Sequence, residues 1–280
     1  MRKLSKWQDF IIKCAVIFLL CYLLFYVIKG DVSFFTRKDV KSLLDIQKTE
    51  IVHELSNVTT AKKDSTVNGL DLSHFQNFAV NSANYDEIDF VIFKATQGTI
   101  FEDPKFAYNY RETPKEIVKG AYHFYDTGKD PVEQAQFFLK VVKAQDSLHA
   151  PFYNMLPPIL DIERGSIEVD DISKKEFQDH LKQWLEIVEK ETGKRPIIYG
   201  SLVFLEQYLD DFYFKKYALW IAEWRNVRAP VIPWIWDNKW TFWQKTDSYQ
   251  YGVELVDYDV YNGSRAGLQK LTTTTQSSLQ

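Results

Sequence analysis

Asp161 and Glu163 close a short apolar run, Leu156-Pro157-Pro158-Ile159-Leu160-Asp161-Ile162-Glu163. Side chains of a β-strand alternate between its faces, so the two carboxyls point one way and Leu160 and Ile162 the other. Acids paired on one face repel, which raises one pKa and leaves a protonated acid beside an ionised partner. Glycoside hydrolysis needs that combination: a proton donor for the leaving oxygen and an anion for the cationic transition state. An acid-x-acid tripeptide alone more often marks a solvated strand end, so its weight depends on the elements around it.

Those elements read as strands and helices in alternation. Apolar β-type runs occur at 69–73, 90–95, 118–124, 159–163, 196–199, 219–222, 241–244 and 256–260. Between them, Asp130-Pro131-x-Glu133 has the form of a helix start, and Ala135, Phe138, Leu139 and Val142 continue it as one stripe. Residues 171–191 place Phe177, Leu181, Trp184, Leu185 and Val188 on one face, with Gly193 and Pro196 as the stop. Eight strands with interposed, partly irregular helices predict a β/α barrel. Sites of barrels lie at the C-terminal strand ends. Asp71, Ser73, Lys94, Thr96, His123, Asp161, Glu163, Tyr199, Glu223, Gln244 and Asp257 all fall in or just past the predicted strands, which supports a polar cleft without choosing its chemistry.

Composition narrows the class. The 280-residue chain is 45% hydrophobic and 26% charged, enough for a real core. A net charge of -4 gives no electrostatic support to a nucleic-acid role. Cys14 and Cys21 both lie in an N-terminal apolar run, so no disulfide framework or cysteine metal site is expected elsewhere. That run, unbroken over residues 14–28, follows Arg2, Lys3 and Lys6 and lacks a small-x-small cleavage pattern. It predicts an uncleaved transmembrane signal-anchor over residues 1–30, the N-terminus cytoplasmic and the remainder on the periplasmic or extracellular side. Residues 31–66 read as a polar stalk, 67–265 as the barrel, and 266–280 as a disordered tail.

The same runs, taken in order, resemble the family 25 glycoside hydrolases, the Chalaropsis-type lysozymes or N-acetylmuramidases. The matching pieces are Gly69-Leu70-Asp71-Leu72-Ser73-His74-Phe75-Gln76, Phe90 to Gly98, Asp103-Pro104-x-Phe106 with Asn109, Gly120 to Phe124, Gln134-Ala135-x-x-Phe138, Pro158 to Glu163, Pro196 to Tyr199, Leu219 to Trp224, Phe242-Trp243-Gln244 and Val256-Asp257. They span residues 68–263. The resemblance implies a flattened, TIM-like barrel with incomplete outer helices. It implies retaining hydrolysis of the β-1,4 bond between N-acetylmuramic acid and N-acetylglucosamine in peptidoglycan glycan strands, with no metal or other cofactor. Glu163 matches the general acid/base and Asp161 its carboxylate partner, acting on the sugar directly or through the acetamido group. Asp71 and Asp257 match the other catalytic acids. Tyr122, Tyr199, Trp220 and Gln244 are candidates for substrate contact.

The chain departs from the family pattern in places. Gln97 stands where the family often has Glu, Lys245-Thr246-Asp247 replaces an aromatic and a Ser, and Asp259 makes the match at Asp257 ambiguous by two residues. Lys94 is read either as a substrate contact or as the partner of a cleft acid. His123 is read as a barrel-interior histidine before a catalytic one, and residues 234–243 as either a tryptophan sugar platform or surface packing. The acids Asp161, Asp71 and Asp257 are expected to raise the pKa of Glu163 and so keep its proton near neutral pH. Membrane contact is expected through the N-terminal helix only, and protein partners are not legible. The competing reading is a non-catalytic peptidoglycan-binding or envelope-assembly component.

Overall fold

The computed structural model describes residues 66–76, 85, 87–145, 152–166, 172–252 and 254–273. The predicted anchor and almost all of the predicted stalk lie outside them. No helix among the described residues is long and apolar enough to cross a membrane.

The strands are β1 (Val67–Leu72), β2 (Phe90–Gln97), β3 (Phe101–Glu102), β4 (Val118–Phe124), β5 (Ile159–Asp161), β6 (Ile197–Ser201), β7 (Ala218–Ala222), β8 (Phe242–Tyr251) and β9 (Glu254–Tyr261). They form one sheet in the order β1-β9-β8-β7-β6-β5-β4-β2-β3, and a further β1–β2 pairing closes it into a barrel that leaves only β3 outside. The expected β/α barrel is present, with one correction. Neighbours from β1 through β2 and β4 to β8 pair in parallel, but β9 runs antiparallel to both β8 and β1. A hairpin turned at Gly252 (φ 62°) joins β8 to β9, so no helix is needed to return the chain. The two strands therefore run on past the predicted 241–244 and 256–260, through a polar stretch that carries no apolar run.

The helices are α1 (Phe106–Glu112), α2 (Pro131–Lys143), α3 (Lys174–Thr192), α4 (Leu202–Tyr208) and α5 (Arg265–Thr273). Asp130 caps α2, accepting from the amides of Val132 at 2.8 Å and Glu133 at 2.9 Å. The cap of α3 is Ser173 rather than a residue near 171, and Gly193 ends it at φ 67°, where a Cβ would be strained. Helix α5 corrects the predicted tail. Residues up to Thr273 are helical because Leu268 buries its side chain in the barrel-interior cluster and the Thr272 carbonyl accepts from Lys194 at 2.6 Å.

Alternation sorts the core into two layers. Val67, Phe90, Ile92, Val118, Tyr122, Ile159, Ile197, Tyr199, Trp220 and Phe242 fill the barrel. Residues of opposite parity, such as Val91, Phe93, Leu160, Ile162, Ile198 and Ile221, pack outward with the helical residues Phe138, Phe177, Leu181 and Trp184. A register shift between Lys94 and Thr96 breaks parity in β2. Lys94 follows Phe90 and Ile92 inward, whereas Thr96 turns outward and meets His123 Nδ1 at 2.7 Å. His123 has structural contacts, but it lies outside the barrel, between the sheet and the helices, and not in the barrel interior as expected, because strand alternation puts it level with the outward-facing Leu160. Its other nitrogen meets Gln134 Oε1 at 3.1 Å, it stacks on Trp184, and burial pushes its pKa down to about 3.

Gly69 is an inward position where the barrel interior needs space. A Cβ there would lie 2.2 Å from the Phe90 ring. We expect Gly69→Ala to destabilise the barrel by about 1–3 kcal/mol through overpacking. In thermal unfolding this reads as a melting point lower by several degrees, and an unchanged melting point would show that Phe90 has free room to move.

Candidate active site

The upper end of the barrel opens as a cleft lined by Asp71, Tyr122, Asp161, Glu163, Tyr199, Trp220, Trp224, Gln244, Asp247 and Asp257. Its volume of about 190 Å³ is enough to admit several waters. Alternation explains who enters it. Asp161 points inward one step above Ile159, level with Tyr199, which is level with Trp220. The strand itself ends at Asp161, two residues earlier than predicted. Glu163 stands just beyond it, its amide donating to Ser166 Oγ at 3.0 Å at the start of a short 3-10 turn. Both carboxyls still reach the cleft.

The ambiguity at the last strand is resolved by register. Asp257 lies opposite Asp71 and lines the cleft, while Asp259 lies one alternation deeper, opposite Gly69, and is fully buried. Gln244 ties the wall together. Its amide nitrogen donates to Asp71 Oδ2 at 2.7 Å, and its oxygen accepts from Tyr199 OH at 2.8 Å and Trp224 Nε1 at 2.9 Å. Trp220 lies beneath, its ring 4.5 Å from that of Tyr199 and its N–H donated to Asp259 Oδ1 at 2.8 Å. It therefore backs the cleft as a buried ring with no free donor. The loop after β1 brings in Gln76, whose oxygen accepts from Ser73 N at 2.8 Å while its nitrogen lies 3.5 Å from Asp257 Oδ2.

The electrostatics differ from the expectation in cause. Glu163 is raised above the ordinary glutamate range first by burial, against the lowering effect of Lys94, and not primarily by its acidic neighbours. Asp161 is raised by burial and then by Glu163, with Lys94 again opposing. Asp71 is raised by burial and then by Asp259. Burial and the Asp71 carboxyl push Asp257 up to about 10. Lys94 donates to Gln97 Oε1 at 2.8 Å and lies 4.5 Å from the Phe124 ring centroid. It forms no salt bridge with Asp71, and its charge acts on Asp161, Asp103 and Glu163. Gln97, in the place of an acid, thus holds the ammonium without neutralising it.

All four predicted acids meet in this cleft, with Tyr122, Tyr199, Trp220 and Gln244 on its walls. The Trp-rich stretch is absent from it. Trp236 and Trp243 are buried, donating to the carbonyls of Tyr217 and Glu223, and Trp234 packs on Phe212. Sequence reasoning missed Trp224, Asp247 and Gln76 as site residues. Trp224 just follows β7 and was open to the strand-end rule. Asp247 required knowing that β8 continues past Gln244.

Comparisons with known proteins bear on the family and the fold. The profile of glycosyl hydrolases family 25 matches residues 70–252. The uncharacterized protein YegX of Escherichia coli (strain K12) is 34% identical over 216 residues, 73% of this chain and 72% of that protein. The N,O-diacetylmuramidase of Chalaropsis sp is 30% identical over 221 residues, 74% of this chain and 100% of that one. The structure of the bacterial lysozyme from Streptomyces coelicolor superposes with a TM-score of 0.66 at 27% identity, over 74% of this chain and 97% of that one.

Raised carboxyl pKa values have a sign in stability. An acid whose folded pKa exceeds its unfolded value binds its proton more tightly when folded, so its contribution is full below the unfolded pKa and is lost as pH rises through the folded one. For Asp257 that window runs from 3.8 to about 10. We expect Asp257→Asn to melt above the wild type at pH 8 and the difference to vanish toward pH 4. A difference of the same size at both pH values would show that Asp257 is not protonated in the folded protein.

Proposed function

The chain belongs to glycosyl hydrolases family 25, and from that membership we propose that it is a lysozyme-like peptidoglycan hydrolase. It cleaves the β-1,4 bond between N-acetylmuramic acid and N-acetylglucosamine with retention. The observation that carries this reading is the meeting of Asp161 and Glu163 in one cleft, Asp161 buried and Glu163 half-buried, with the charge of Lys94 opposing the rise in both pKa values. The muramidase named among the similar proteins supports the choice of substrate.

Glu163 is the more accessible of the two and retains its proton at higher pH than a free glutamate, as a general acid must. It protonates the glycosidic oxygen, then as a carboxylate activates the water that completes the reaction. Asp161, more deeply buried, supplies negative charge at the anomeric carbon or orients the substrate's acetamido group. One oxygen of Asp161, Oδ1, is buried and has no hydrogen-bond partner among the described residues, which favours the neutral form of this carboxyl until positive charge develops beside it. Lys94 keeps the pair from becoming too basic. Trp224, exposed on the cleft wall, presents ring surface on which a pyranose can stack, and the buried rings of Tyr122, Tyr199 and Trp220 back that wall. The apolar run at residues 14–28 supports a single-pass anchor that keeps the barrel against the wall on the outer side of the membrane.

Digestion of purified peptidoglycan should release fragments with N-acetylmuramic acid at the new reducing end. Fragments ending in N-acetylglucosamine would overturn the bond assignment. Glu163→Gln should lower turnover at least about 100-fold while the protein remains folded. Lys94→Met should move the alkaline limb of the activity profile to higher pH, because it removes a charge that lowers the pKa of Glu163. A raised KM with the limb unmoved would instead make Lys94 a substrate contact.

A further inference from the structure

Behind the cleft lies a carboxyl with half of its hydrogen bonding unmade. Asp259 is fully buried. Its Oδ1 accepts from Trp220 Nε1 at 2.8 Å. Among the described residues nothing donates to its Oδ2. Asp257 lies opposite Asp71 and Asp259 opposite Gly69 in the β1–β9 pairing, so Asp71 and Asp259 are inward-facing diagonal neighbours. The Asp71 carboxyl accepts from Gln244 Nε2 at 2.7 Å and is within hydrogen-bonding reach of both Asp259 and Asp257. The groups facing Asp259 are Asp71 on β1, Tyr199 on β6, Trp220 on β7, Gln244 on β8 and Asp257 and Tyr258 on β9. None of these is a cation. Two ionised carboxylates in contact here would set like charges against each other in a buried site and leave an oxygen without a donor. One proton held between them removes both penalties.

We propose that Asp71 and Asp259 share one proton across the cleft floor, and that Asp259 is a positioning residue that keeps the Asp71 carboxyl neutral beneath the reacting pair. The catalytic half of this proposal rests on the glycosidase reading; the proton count does not. A charged Asp71 opposes ionisation of Asp161. With Asp71 discharged by its partner, Asp161 can carry the negative charge that the transition state uses. Asp259 thus acts through Asp71, without touching substrate. The arrangement is a carboxyl pair that holds one proton because both cannot ionise at contact distance.

The proton can be counted. Asp259→Asn keeps an oxygen for the Trp220 N–H and turns an amide N–H toward Asp71, which then ionises. Infrared difference spectra at pH 7 should show the loss of one protonated-carboxyl band relative to the wild type. Asp71→Asn, which places an N–H where the shared proton sits, should lose the same band and serves if Asp259→Asn does not fold. The double variant should lose no more than either single one. Loss of a carboxylate band in its place would overturn the proposal, and so would a double variant that loses two protonated bands. In peptidoglycan hydrolysis, the acid limb of kcat/KM for Asp259→Asn should shift to higher pH, because the charge now fixed on Asp71 resists ionisation of Asp161. A merely structural Asp259 would leave that limb in place. A wild type that hydrolyses nothing would count against the enzymatic reading and leave the band count to decide this one.

Discussion

Carboxyls held inside a closed barrel are the constraint from which the rest of this site follows. Lower in the barrel the inward positions are Val67, Phe90, Ile159, Ile197 and Phe242, an apolar filling. Toward the mouth the same alternation delivers Asp71, Asp161, Gln244 and Asp259 to positions nearly as buried. Burying an acid favours its neutral form, and burying several together forbids full ionisation. The hydrogen-bond pattern around them is a response to that cost. Gln244 donates to Asp71, Trp220 donates to Asp259, and the Gln244 oxygen is occupied by Tyr199 and Trp224 so that the amide cannot turn over.

The antiparallel last strand makes this concentration of acid possible. In an all-parallel barrel, each strand contributes to the mouth from its C-terminal end. Here β9 runs the other way, so its early residues lie at the mouth and its later ones deeper. Asp257 and Asp259 occupy successive inward positions as a result, one bordering the cleft and one beneath it. The parity break in β2 has a comparable effect on the single lysine involved. It keeps Lys94 inward, where its charge reaches Asp161 and Glu163, and sends Thr96 outward to the buried histidine.

In the proposed hydrolysis, depth sets a division of labour. Glu163, beyond the strand end and half-buried, is the acid placed to meet solvent and a leaving group. Asp161, inside the barrel, is the acid placed to meet developing positive charge. Lys94 opposes the rise in both pKa values without forming a direct ion pair with either, because Gln97 takes its hydrogen bond. Stability is lost to keep these acids in place, as is common where a site needs perturbed ionisation.

Much of this was determined by the sequence alone. Strand periodicity marked all eight barrel strands, and strand-end polarity marked the acids, because alternation is a property of neighbouring residues. The caps at Asp130 and Gly193 were legible for the same reason. What neighbours cannot encode is register and solvent exclusion. Only the closed sheet decided that β9 returns antiparallel, that Asp257 and not Asp259 borders the cleft, and that helix α5 continues to Thr273 by packing beneath the barrel. Only burial decided that desolvation, rather than the neighbouring charges, is the first cause of the raised Glu163. Both depend on contacts between residues far apart in the chain, and those contacts exist only once the barrel has closed.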